Sequence, residues 1–75
     1  MYKVIVIDHD NTREEFTSDP REEDDYETPF TTKEMAREFA LDTLYEGAAA
    51  AMIVRLPEPN AILGEIVDFI FGNPK

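Results

Sequence analysis

The chain reads as a small α+β domain of element order β-β-α-β-α, a three-stranded antiparallel sheet packed by two helices. Three observations predict it. The first is the unbroken, mostly β-branched run Val4-Ile5-Val6-Ile7, followed by a turn signal at Asp10-Asn11. The second is a set of apolar residues at helical spacing between Met35 and Leu44, with Thr31 before it and Gly47 after it. The third is a later apolar run around Met52-Ile53-Val54, stopped by Pro57 and Pro59, after which a further apolar arc covers 62–71.

Each element has its own warrant. Residues 1–9 form the first strand. Val4 and Val6 point to one side and Ile5 and Ile7 to the other, so both faces need cover. Residues 12–18, "TREEFTS", form a second strand with Thr12, Glu14 and Phe16 on one side; its charge suits a sheet edge. A polar loop at about 18–29, bracketed by prolines, leads to the first helix. Thr31 and Glu34 spell a capping box, and Phe30 and Met35 stand where a hydrophobic staple belongs. Met35, Ala36, Phe39, Ala40, Thr43 and Leu44 make its buried stripe, and Leu41 and Tyr45 fall on the opposite side. The third strand spans roughly 50–56. Asn60 is expected to cap a second helix, 61–71, stopped by Gly72-Asn73-Pro74. Its residues Ile62, Leu63, Ile66, Val67, Phe69, Ile70 and Phe71 cover about half the circumference on a 3.6-residue period.

A tight hairpin followed by a right-handed helical crossover gives strand order 2-1-3. Helices on one face leave the other face of an apolar strand bare. The second helix, a second copy of the chain or another protein must cover it, and Ile66, Ile70 and Phe71 are the residues expected to take part in self-association.

Composition narrows the function. The 75 residues suit one domain, 1–75, and carry a formal charge of −10. Ten acids and three bases lie in 1–30, a net of −7; seven acids and four bases lie in 31–75, a net of −3. Such a field repels nucleic acid and anionic membrane and attracts basic surfaces. There is no cysteine, which rules out disulfides and thiol catalysis and fits a reducing cytoplasm, and His9 is the lone histidine. No basic segment precedes a long apolar one, so no signal peptide is expected. No apolar run approaches the roughly 18 residues of a membrane span.

One motif suggests chemistry. Asp8-His9-Asp10-Asn11-Thr12 follows an apolar strand and spells D-x-D-x-T, which resembles the nucleophile motif of the haloacid dehalogenase phosphatases. That resemblance covers about nine residues. It implies Asp8 as nucleophile and Asp10 as acid in a metal-dependent phosphohydrolase. The rest of the family's pattern is missing: the long parallel sheet, the phosphate-holding Ser/Thr and Lys, and the later acidic pair for magnesium. The match is therefore read as coincidental, and residues 8–12 as a hairpin turn with local side-chain to backbone bonds. The same residues half-match a calcium loop, but Arg13 stands where glycine belongs and Asp19 where glutamate belongs. No cofactor and no metal site is expected.

In size, acidity and lack of cysteine the chain resembles small phage-encoded inhibitors of the anti-CRISPR and DNA-mimic type. The resemblance implies a cytoplasmic, non-enzymatic protein that occupies the nucleic-acid-binding surface of a bacterial host complex. It carries no functional residue over. From the residues themselves, the expected partner surface is Asp8, Asp10, Glu14, Glu15, Asp19, Glu22, Glu23, Asp24, Asp25 and Glu27, with Leu41 and Tyr45 as an apolar contact within the acidic helix face. The partner is a protein with a basic groove, with no direct nucleic acid and no membrane. The alternative is a dimeric accessory protein whose acidity serves solubility.

Overall fold

A computed structural model of the chain describes residues 1–19, 29–58, 61 and 63–72. They form an α+β fold with a four-stranded antiparallel sheet and one helix. The elements are β1 (Tyr2–Ile7), β2 (Arg13–Phe16), α1 (Lys33–Tyr45), β3 (Ala50–Arg55) and β4 (Glu65–Phe71), and the sheet order is β2-β1-β3-β4. The expected order 2-1-3 is present, extended by one strand.

The β1–β2 connection is a three-residue turn. The Asn11 amide donates to the Asp8 carbonyl and the Asp8 amide to the Thr12 carbonyl, both at 2.9 Å. Asn11 takes a left-handed φ of 69°, which Asn tolerates because its side chain bonds locally. Beyond β2, residues 17–18 are tied to residues 29–30. Ser18 bridges Pro29, and the Phe30 amide donates to the Thr17 carbonyl at 3.1 Å. Phe30 is buried, and its own carbonyl accepts from the Tyr2 amide.

The helix begins one residue later than the capping box places it. Thr32, in extended backbone, accepts from the Met35 amide at 3.2 Å, while the Thr31 hydroxyl lies against the Met35 sulfur. Glu34 is therefore in the first turn rather than at the reciprocal position of a box. The C-terminus follows expectation. Gly47 has φ +116°; its amide donates to Leu44 O and that of Ala48 to Thr43 O, the paired bonds of a Schellman stop. Ala36, Phe39 and Ala40 are buried, with Met35 and Leu44 packed beside them. They meet Val4, Val6, Ala51 and Ile53, the inward face of β1 and β3. Phe39 is the hub, with ring centroids 5.1 Å from Phe16 and 5.4 Å from Phe30.

The second helix is overturned. Residues 65–71 are β4, paired antiparallel with β3. The apolar arc that read as helical arises from a bulge. Ile53 opposes Asp68 while Val54 opposes Ile66, leaving Val67 as the extra residue. The bulge breaks the two-residue period and puts apolar side chains at i, i+3 and i+5 on one face. Composition already leaned toward strand, because Ile66-Val67 and Phe69-Ile70-Phe71 are β-branched or aromatic. Gly64, inside the expected helix, explains the rest. A Cβ there would come within 2.6 Å of Val54 Cγ1 and would also strike the Arg55 carbonyl, so the approach of this segment to β3 needs glycine.

Candidate functional site

The end of the domain around the C-terminus of α1 gathers most of the chemistry. Asp8 follows β1 in phase with Val4 and Val6, and Glu14 pairs with Val6, so both carboxylates belong to the sheet face that carries α1. The helix lies over β1 and β3 and reaches β4, and it touches β2 through the Phe39–Phe16 ring contact. The helix-side face of β2 is therefore open beyond Phe16. The result is a depression of about 310 Å³. Val6, Phe16 and Ala48 supply its apolar surface, and Asp8, Glu14 and Glu46 supply three carboxylates.

Glu46 is the C-cap of α1, and the last helical turn holds no base. This runs against the helix macrodipole, whose negative C-terminal end favours cations. The three carboxylates and the helix end thus add to one another. Among the described residues no three His, Asp or Glu side chains gather closely enough to hold a metal ion. A lining that mixes apolar side chains with three carboxylates suits a longer cation, an Arg or Lys side chain whose stem would lie on Val6 and Phe16 while its head pairs with a carboxylate.

Across the helix end is a second depression of about 200 Å³, lined by Leu41, Leu44, Tyr45, Ile70, Phe71 and Gly72. Tyr45 is 94% exposed. Sequence reasoning assigned Leu41 and Tyr45 to a partner surface and Ile70 and Phe71 to self-association; the fold brings the four together.

The turn itself is self-contained. The Thr12 hydroxyl lies 2.7 Å from Asp10 Oδ1 and 3.2 Å from Asp8 Oδ2, and the Thr12 amide donates to Asp10 Oδ1 at 3.1 Å. The hydroxyl, then the amide, holds the Asp10 carboxyl below the usual carboxylate range. These are the local bonds expected of a hairpin turn, and the sheet that carries D-x-D-x-T is antiparallel rather than parallel.

The remaining predicted residues divide. Glu15 is exposed on the opposite face of β2, paired with Lys3 at 2.8 Å. Asp10 is exposed on the turn and Asp19 is half-buried beside Ser18. Glu22, Glu23, Asp24, Asp25 and Glu27 lie outside the described residues. Ile66 is exposed, and Ile70 packs partly against the core. Sequence reasoning missed Glu46; an acid next to a helix-stopping glycine, with no base in the preceding turn, was the available signal. Among the described residues no helix is long and apolar enough to cross a membrane. No family model, curated protein or solved structure matches the chain.

Proposed function

We propose that this chain is a non-enzymatic, protein-binding inhibitor that docks the acidic end of its domain on a basic, nucleic-acid-binding groove, as an anti-CRISPR or DNA-mimic protein does. One observation carries the reading: Asp8, Glu14 and Glu46 line one depression, together with Val6, Phe16 and Ala48, at the negative end of α1. A helix that ends on an acid gives up favourable dipole energy, and departures from local stability rules concentrate at functional sites. The net of −7 in residues 1–30 would add long-range attraction for a cationic partner. Arg or Lys side chains that otherwise hold phosphates would pair with the rim carboxylates, and Leu41 and Tyr45 would add apolar contact on the far side of the helix end.

The test is capture of a partner from bacterial lysate at low and moderate salt, followed by nucleic-acid binding by the captured protein. Wild-type chain is expected to displace the nucleic acid and to lose its hold as salt rises. Asp8→Asn, Glu14→Gln and Glu46→Gln together should weaken capture by about tenfold per carboxylate while preserving the circular dichroism spectrum. Capture that ignores both salt and the triple substitution would end the proposal in favour of an accessory protein held by apolar contact.

A further inference from the structure

Among the described residues no helix packs on the sheet face turned away from α1, where Ala50 and Val54 are buried but Ile66, Phe69 and Phe71 are exposed, and we propose that a second copy of this chain covers it, in a face-to-face dimer with two-fold symmetry. Register defines the face. Ile5 lies beside Met52 and Met52 beside Phe69; Ile7 lies beside Ala50 and Ala50 beside Phe71; Ile66 lies beside Val54. The strand expected to fold over this surface as a helix widens it instead. Ile66 is 57% exposed, Phe69 42% and Phe71 76%, and the two phenylalanine rings stand 4.6 Å apart. Contiguous apolar surface of this kind marks an interaction site.

Charge selects the occupant. The chain carries −10, so two copies can meet only where their charge is low. On this face the described strands place Lys3, Arg13 and Glu15, and Lys3 is already paired with Glu15. The acids of the rim depression lie on the other side of the sheet. A strongly charged partner would find little to hold here, whereas a second copy would bring the same nearly neutral, apolar surface. Stacking the two sheets about 10 Å apart would place Phe69 and Met52 near the centre of a self-complementary contact.

Sedimentation equilibrium tests this. Wild-type chain is expected to be dimeric at micromolar concentration and to remain so at high salt. Phe69→Ser with Phe71→Ser should raise the dimer dissociation constant by about a hundredfold or more, with an unchanged circular dichroism spectrum. Because the chain has no cysteine, Met52→Cys gives a second reading. It should form a disulfide-linked dimer under mild oxidation far faster than Glu38→Cys, on the exposed side of α1. A wild-type chain monomeric at every concentration, a dimer indifferent to the double substitution, or equal cross-linking at 52 and 38 would each overturn the proposal.

Discussion

β2 and β4 both run along an edge of the same sheet, yet they meet their surroundings in opposite ways. β2 is four residues long, three of them charged, and only Phe16 turns into the protein. β4 is seven residues long and carries two acids among five apolar residues. A short, charged edge discourages pairing with another chain. β4 has a bulge, which also disfavours edge pairing, but its exposed Ile66, Phe69 and Phe71 point out of the sheet rather than along its rim. The acidic depression opens beside β2, and the exposed apolar side chains of the opposite face gather at β4. One small sheet thus separates a surface for cations from a surface for apolar contact.

The two edges are also anchored differently, and substitutions can separate them. The largest effect is expected at Phe39, whose ring supports both Phe16 of β2 and Phe30. Phe39→Ala should cost about 3–5 kcal/mol in denaturant unfolding. Hydrogen exchange should show β2 amides losing protection before those of β4. Simultaneous loss would mean that the edges are not independent. A smaller effect is expected at the other edge. Gly64→Ala forces a methyl against Val54 and the Arg55 carbonyl, and should cost about 1–3 kcal/mol. Its exchange signature should be concentrated at Glu65 and Ile66, and a change confined to β2 would contradict the comparison. The smallest effect is electrostatic, in the turn that leads into β2. Asp10 is held below its ordinary value, so whatever stability it contributes is complete at neutral pH and is lost only as pH falls through that lowered value. Thr12→Val removes the hydroxyl, the larger cause, and should move the Asp10 midpoint upward in an NMR titration. An unmoved midpoint would show that the hydroxyl does not bond Asp10 in solution.

Legibility followed how local each signal was. The β1 run, the residue 8–12 turn, the stripe from Met35 to Leu44 and the stop at Gly47 are written within a few residues of one another, and all are present. The helix cap moved by one residue because Thr31 and Thr32 are both capable caps, and only the path of Phe30 into the core selects between them. The second helix failed because its apolar spacing is ambiguous: a bulge at Val67 gives a strand the spacing of a helix. Gly64 was the local hint against helix, but its meaning depends on how closely Val54 and Arg55 lie.

The candidate site shows the same division. Asp8, Glu14, Leu41 and Tyr45 could be singled out as exposed and suggestive from their places in the chain. Their grouping could not. Asp8 and Glu14 share a depression with Glu46 because α1 leaves β2 uncovered beyond Phe16, and Leu41 and Tyr45 line a depression with Ile70 because β4 pairs with β3.

The sequence by itself determined an acidic α+β chain, the first three strands in their order and the first helix. Those follow from propensity, period and charge, which act over a few residues. Only the tertiary structure decided that residues 65–71 extend the sheet instead of capping it. The free edge of β3 offers backbone hydrogen bonds that an apolar segment of either periodicity can accept, and that choice lies in β3 rather than in the segment itself.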